Sequence, residues 1–412
     1  MSGASSVENP RISLCNVVEI MLGVSIILFA VGLITDPLGT QQCLFFRKFD
    51  DLLADFFNPA AHTLNRNPYL QSAHRICTPL YYLIMYPLSF LADYTKSLNE
   101  LYSDPGAVVS AVLFCAFSEF FLFYMLYRFM PGKKRYCLLL LLFFSGVNLF
   151  SIERGTLVIF TAGCIAGFLY FYQSPSRGRQ IFSLVLLCLA AALKIYPALF
   201  GLFLLKRRDF KGILFCIILT SALGFLPLLF FESGFGNIPQ LFCNLGKYRI
   251  VYKISPELRT LSLLLVKYGG NSLGNVASVW IKALDVIAIS TLVCSFFNND
   301  REKMIFSIAA VISLCPIGAA PYTQLYLFPA FLMFMNRIRE KHVRSDLFYA
   351  VGYILLFMPW QLPGNINKIF ILTVLPTMLA IQLTEVITAF RQSGKSVREI
   401  IKLSWNNQQY AG

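Results

Sequence analysis

Long apolar runs, separated by short basic segments, constrain this chain more than any other feature of its sequence. The first run extends from about Leu14 to Ile34, and comparable runs recur to near the end of the 412 residues. Hydrophobic residues make up 57% of the chain and charged residues 14%, against about 25% charged in an ordinary soluble domain. A soluble fold lacks the interior for so many apolar side chains, and a disordered chain would be richer in charge. The sequence therefore predicts an all-α polytopic integral membrane protein, since helices satisfy their own backbone groups in lipid.

The basic residues are concentrated in the gaps between the apolar runs. Lysine and arginine number 35 and aspartate and glutamate 21, a formal net charge of +14. In a soluble protein this excess would suggest nucleic acid as a partner. Here the clusters follow the positive-inside rule for cytoplasmic loops, as in Lys206, Arg207 and Arg208. We therefore expect membrane lipids and no nucleic acid among the partners.

Charge parity predicts about twelve transmembrane passes with both termini in the cytoplasm. Thr78–Ala92 is short and contains Pro79 and Pro87, so it is interpreted as a helix at the membrane interface rather than as a crossing. Cys137–Phe150 is predicted to be one of the spans. Residues 1–412 are expected to form one membrane domain, in which three segments lie outside the bilayer: a first external loop (35–105), a second external loop (232–275) and a basic cytoplasmic tail (389–412).

The first external loop carries an acidic cluster, FDDLLADFFNPAAHTLNRNPY, which contains Asp50, Asp51 and Asp55. Asp51 and Asp55 are four residues apart and would share one face of a helix. A carboxylate held beside the membrane is suited to act as a general base on a sugar hydroxyl. A solvated loop with helix caps explains the same residues, and both interpretations stay open.

Two charged segments lie at the outer ends of predicted spans. Glu153 and Arg154 are adjacent and form either a polar site or an interfacial anchor. Lys194 precedes Tyr196 and Pro197, and the proline breaks the helix there. A broken helix with a cation at its outer tip is typical of a phosphate site, whereas a snorkelling lysine is the simpler alternative.

Several kinds of chemistry have no support in the sequence. It contains no GxxxxGK[ST] phosphate loop and no HExxH or CxxC motif, and its three histidines are not grouped as a metal site. Glu119, Lys282 and Asp285 lie within apolar runs, which keeps open a transporter or flippase of a lipid-linked glycan or small solute. A polymerase or ligase that joins whole glycans is a third alternative. Cys43 and Cys77 share the first external loop and could pair in an oxidising compartment.

Taken in order, these segments resemble the GT-C superfamily of membrane glycosyltransferases, and most closely glycosyltransferase family 87. The resemblance rests on Asn67-Pro68-Tyr69, on Thr78-Pro79-Leu80-Tyr81-Tyr82 and above all on residues 191–208, AALKIYPALFGLFLLKRR. It implies a GT-C-like fold in the bacterial inner membrane with the active site facing outside. The family's common Gly-Gln-x-Asn stretch is here Glu153-Arg154-Gly155-Thr156, so the sugar and the acceptor stay open.

The resemblance also implies a reaction. One sugar, mannose or another hexose or pentose, would pass from a polyprenyl-phosphate donor to a glycan or lipid acceptor with inversion, without a tightly bound cofactor or a metal. Asp55 is the first candidate base, because Phe56-Phe57-Asn58 follows it as in similar sequences, and Asp51 and Asp50 come next. The candidate phosphate-binding residues are Lys194, Arg154 and Arg75, and the candidate pocket residues are Tyr69, Tyr196 and Glu153.

Overall fold

The structure is a computed structural model. It describes residues 13–37, 52–64, 66–70, 74–129, 135–251, 282–298, 300–315, 321–340, 343–359 and 366–393, with the single residues 279 and 399. Within these ranges the chain is helical or lies in turns and short connections, and contains no strand. The all-α prediction is confirmed for this part of the chain.

The helices of the described residues are numbered in chain order. They are α1 (Leu14–Thr35), α2 (Ala54–Thr63), α3 (Pro79–Leu88), α4 (Leu98–Leu101), α5 (Pro105–Phe129), α6 (Arg135–Phe143), α7 (Gly146–Arg154), α8 (Val158–Phe171), α9 (Arg177–Leu193), α10 (Leu202–Lys206), α11 (Phe210–Phe225), α12 (Asn237–Val251), α13 (282–297), α14 (Arg301–Leu314), α15 (Phe328–Glu340), α16 (Asp346–Phe357) and α17 (Ile366–Gln392). Four 3₁₀ segments lie between them: Tyr196–Gly201, Leu226–Phe230, Gly234–Gly236 and Pro321–Leu327.

Polar residues fix where several of the helices begin. The side chains of Ser13, Asp209 and Asp300 each accept a hydrogen bond from a backbone N–H three residues later. Ser97 and Glu100 form a reciprocal capping box before α4. These caps satisfy N–H groups that the first helical turn leaves without partners.

Four apolar helical segments within the described ranges are long enough to cross a membrane: Leu14–Thr35, Pro105–Phe129, Phe210–Phe230 and Thr373–Gln392. The pair α6 and α7 gives a fifth if the two helices count as one broken span. Large apolar side chains point outward on these segments, and Ile27 and Phe120 are 63% and 72% exposed. This is the surface expected of helices that face lipid, so the protein is a membrane protein, while twelve passes remain a prediction.

The core of the bundle surrounds α8, whose residues Val158 to Leu169 are almost all buried. This helix packs most closely against α5 and α9. Small residues allow the close approach, since a Cβ on Gly163 would lie 3.0 Å from the Leu122 backbone and one on Gly167 would lie 2.6 Å from a Leu186 methyl group. Small residues at helix contacts are typical of membrane bundles.

The predicted span Cys137–Phe150 differs from the observed structure. The chain breaks after Phe143, and α6 and α7 meet at an angle of 50°. Ser145 causes the new start, because its side chain accepts the N–H of Asn148 and caps α7. As a result α7 is a short, separate helix that ends at Arg154.

Candidate functional site

The candidate site forms where the ends of two helices meet. Asp55 lies in the first turn of α2 and Arg154 in the last turn of α7. The Arg154 guanidinium donates a hydrogen bond to Asp55 Oδ1 and forms an ion pair with it. A negative side chain at a helix N-terminus and a positive one at a helix C-terminus also interact favourably with the two helix dipoles. The arrangement therefore fixes a carboxylate in a partly buried position, where the two side chains are 23% and 15% exposed.

The backbone brings these two helix ends into register. The N–H of Leu53, the residue before α2, donates to the carbonyl of Glu153, the residue before Arg154, at 2.7 Å. Gly155 terminates α7 with φ +63°, a conformation that L side chains rarely adopt. A Cβ at Gly155 would also lie 3.0 Å from the Cβ of Phe56. A glycine is therefore required where α2 docks against α7.

Helix α3, predicted to lie at the interface, connects Asp55 with the region of Lys194. The Tyr81 hydroxyl donates to the backbone carbonyl of Asp55 at 2.7 Å. One turn earlier, the hydroxyl of Thr78 donates to the carbonyl of Leu193 at 3.1 Å, immediately before Lys194. Thr78 and Tyr81 are only three residues apart, so the start of α3 contacts both the residue before Lys194 and the backbone of Asp55.

Lys194 ends α9 at the tip of a helical hairpin, as its place before Tyr196 and Pro197 predicts. It is in electrostatic contact with Asp55 and Tyr196. Among the described residues Lys194 makes no ion pair. The structure thus brings together Asp55, Arg154, Lys194 and Tyr196, four of the residues that sequence analysis singled out.

Tyr322, which sequence analysis missed, belongs to the same site. It lies at the start of the 3₁₀ segment Pro321–Leu327 and stacks against Phe150 of α7 at 6.2 Å between ring centroids. It is in electrostatic contact with Asp55, Arg154 and Tyr196. An aromatic ring beside a carboxylate and a guanidinium is suited to stack on a sugar. No motif in the sequence indicates a role for Tyr322, because only the packing of the segment Pro321–Leu327 against α7 brings it near Asp55.

Two other candidates have partners away from the ion pair. Tyr69 is fully buried against Tyr82, and its hydroxyl donates to the carbonyl of Cys77 at 2.9 Å. Arg75 donates to the carbonyl of Asn67, and its own carbonyl accepts from Asn244 on α12. These contacts stabilise the first external loop. Glu153 precedes Arg154 and supports the site through its backbone carbonyl.

Several predictions involve residues outside the described ranges, among them much of the second external loop (232–275) and of the tail (389–412). Asp50 and Asp51 lie there, so Asp55 is the acidic candidate whose surroundings are known. Cys43 lies there as well, and the Cys43–Cys77 disulfide stays a prediction.

His62 lies on α2 seven residues after Asp55, so the two side chains share one helical face. Burial, together with the neighbouring Arg75 and His74, lowers the pKa of His62 to about 4. Its imidazole is therefore neutral at physiological pH, and its buried Nδ1 has no hydrogen-bond partner within the described part of the chain. His62 adds a polar but uncharged group to this face of α2.

A separate cavity of about 430 Å³ lies near the opposite end of α14 from Tyr322. Five of its charged lining groups are paired with one another, Arg337 with Glu302 and Asp346 and Lys303 with Glu385, while Asp300 caps α14. A network whose members already satisfy one another stabilises the helix ends and leaves little for a ligand. The candidate site is therefore the cluster around Asp55.

Comparison with known proteins gives one family. The model of glycosyltransferase family 87 matches residues 77–317, more than half of the chain. The matched region contains Arg154, Lys194 and Tyr196, whereas Asp55 precedes it and Tyr322 follows it. No curated protein and no solved structure matches the chain.

Proposed function

Because the chain belongs to glycosyltransferase family 87, we propose that it transfers a single sugar from a polyprenyl-phosphate donor to a glycan or lipid acceptor at the external face of the membrane. The sugar is mannose or another hexose or pentose, and the anomeric configuration is inverted. The resemblance of residues 191–208 to the family supports this donor class. The observation that carries the proposal is the grouping of Asp55, Arg154 and Lys194 at one point between helix ends.

Each charged residue has a distinct part in this reaction. The Asp55 carboxylate accepts the proton of the acceptor hydroxyl, whose oxygen attacks the anomeric carbon. The bond between that carbon and the phosphate oxygen breaks, and the electron pair leaves with the polyprenyl phosphate. The ammonium of Lys194 stabilises the negative charge that develops on the leaving group. The proposed reaction requires no metal ion.

The ion pair with Arg154 suits Asp55 to the role of base. Arg154 bonds to Oδ1, and Oδ2 has no hydrogen-bond partner among the described residues. One carboxylate oxygen is therefore held in place while the other is open to a hydroxyl, which is the geometry that general base catalysis needs. Tyr81 fixes the backbone of the same residue.

The proposal is tested with the purified full-length protein in lipid nanodiscs. We expect release of polyprenyl phosphate and formation of a glycoside from a polyprenyl-phosphate sugar, and no turnover of nucleotide sugars. A panel of polyprenyl-phosphate hexoses and pentoses identifies the sugar. Transfer from a nucleotide sugar in preference to every lipid-linked donor would refute the proposed donor class.

Asp104→Asn is a matched control for Asp55→Asn in the same assay. Asp104 also lies in the first external loop and also forms an ion pair, with Lys96 at 3.0 Å. Its ion pair is with Lys96 and not with Arg154, and asparagine can replace it as the cap that accepts the backbone N–H groups of Gly106 and Ala107. We expect Asp104→Asn to retain wild-type turnover and Asp55→Asn to lose it.

A further inference from the structure

A buried polar pair joins α5 to α7 inside the bundle. Glu119 Oε2 accepts a hydrogen bond from Asn148 Nδ2 at 3.1 Å, and the two residues are 8% and 0% exposed. The other oxygen of each group, Glu119 Oε1 and Asn148 Oδ1, is also buried and has no hydrogen-bond partner in the described part of the chain. Two neighbouring oxygens are thus left without a donor.

One proton would satisfy both oxygens. An ionised carboxylate at such depth needs several donors or a cation, and within the described ranges Glu119 has Asn148 Nδ2 alone. A proton on Oε1 can be donated to Asn148 Oδ1, which closes a ring of two hydrogen bonds between a carboxylic acid and an amide. Cys115, one turn earlier on α5, is the titratable group in electrostatic contact with Glu119, and its thiol points to the carbonyl of Ile152. Asn148 is the polar group that faces Glu119 from α7.

The pair lies at the opposite end of α7 from the candidate site. Asn148 is in the first turn of this helix and Arg154 in its last turn, about 9 Å apart along the axis. Helix α7 is therefore held at both ends by acidic side chains from other parts of the chain, Glu119 at its start and Asp55 at its end. Because α7 is bent by 50° from α6, it does not continue that helix, and these two contacts act together with its packing against the segment Pro321–Leu327.

We propose that Glu119 carries a proton and, as a neutral acid paired with Asn148, anchors α7 so that Arg154 is held in register with Asp55. Glu119 and Asn148 are then positioning residues for the transfer reaction, an inference that rests on the proposed function for its catalytic part. The protonation itself is independent of that function.

Infrared difference spectroscopy tests the proton directly. Wild-type protein and Glu119→Gln are compared in nanodiscs at neutral pH, in H₂O and in D₂O. We expect a carbonyl band of a protonated carboxylic acid that shifts in D₂O and is missing in the variant. If the two spectra agree in this region, Glu119 is ionised and the proposal fails.

Steady-state kinetics test the positioning role. Glutamine keeps both hydrogen bonds with Asn148, so Glu119→Gln should retain kcat within about threefold, while Glu119→Ala and Asn148→Ala should lower kcat about 10- to 100-fold at an unchanged donor KM. At alkaline pH the wild type should lose kcat relative to Glu119→Gln, since only the wild type can release the proton. This pH comparison still decides if the alanine variants fail to fold.

The outcomes separate the two proposals. A loss of kcat in Glu119→Gln as large as in Glu119→Ala would overturn the positioning role even if the infrared band is present. If the wild-type protein transfers no sugar from any lipid-linked donor, the proposed function fails and the positioning role with it, whereas the infrared result still decides the protonation of Glu119.

Discussion

Replacing Asp55 by asparagine tests the site most directly, because the change removes the charge and the basicity but keeps the size of the side chain. Loss of a general base lowers kcat by about 10²- to 10⁴-fold, which corresponds to about 3–5 kcal/mol of activation free energy. The side chain of Arg154 is 15% exposed, so its ion pair with Asp55 is intermediate between two kinds. Surface ion pairs contribute little to stability, and disrupting a buried pair costs about 3–5 kcal/mol. We therefore expect Asp55→Asn to lower the free energy of unfolding by about 1–3 kcal/mol.

The assay combines turnover of a lipid-linked donor with thermal unfolding in the same nanodiscs. Arg154→Met and the double variant complete a cycle. If Arg154 acts by orienting Asp55, the double variant should be no slower than Asp55→Asn, because the effects of residues that act as a unit are not additive. Retention of kcat within about tenfold by a folded Asp55→Asn would refute the assignment of the base. Asp51→Asn would then be the next variant to measure.

Three further predictions concern the surroundings of the ion pair. Lys194→Met should lower kcat/KM for the donor about 10- to 100-fold, because a charge-assisted contact to phosphate is lost. The control Lys211→Met, at an exposed position after the same hairpin, should leave kcat/KM unchanged. Gly155→Ala should lower the free energy of unfolding by about 1–3 kcal/mol, because it places a side chain at φ +63°. The control Gly246→Ala should not lower it, because nothing lies within 4 Å of the added Cβ. His62 has a pKa of about 4 in the folded protein against 6.5 in the unfolded chain, so its neutral form contributes stability above pH 6.5 that is lost as pH falls towards 4. As pH falls from 6.5 to 4, the thermal unfolding midpoint of His62→Gln should therefore fall less than that of the wild type. If the two midpoints fall in parallel with pH, the lowered pKa of His62 is wrong.

The sequence predicts those parts of the site that depend on local chemistry. Lys194 ends a helix because Pro197 follows closely, and Asp55 suits the first turn of a helix, so both positions follow from neighbouring residues. The resemblance to family 87 adds that Asp55 and Lys194 should lie near each other, which local patterns do not show. The first predicted span, about Leu14 to Ile34, corresponds to α1 for the same reason, since a long apolar run is a local signal.

Contacts between distant segments are the part that the sequence does not predict. Tyr322 reaches the site only because α14 and α15 place their connecting segment beside α7. Tyr69 belongs to an Asn-Pro-Tyr motif that resembles the family. Its ring, however, packs against Tyr82, and its hydroxyl donates a hydrogen bond to the carbonyl of Cys77. The break before α7 has a local cause in the Ser145 cap, but the apolar residues on both sides of it favour one continuous span.

The proposed reaction gives different roles to Arg154 and Lys194, both of which are phosphate-binding candidates from the sequence. An inverting displacement places the attacking oxygen and the leaving oxygen on opposite sides of the anomeric carbon, so the base and the group that stabilises the phosphate must lie on opposite sides of the sugar. If Asp55 is the base, Arg154, which is bonded to it, lies on the side of the acceptor. In the proposed reaction the phosphate is then assigned to Lys194, which is in electrostatic contact with Asp55 and Tyr196. Arg154→Met should consequently lower kcat with little change in donor KM, whereas Lys194→Met should raise donor KM. The reverse pattern would mean that Arg154 leaves Asp55 when the donor binds.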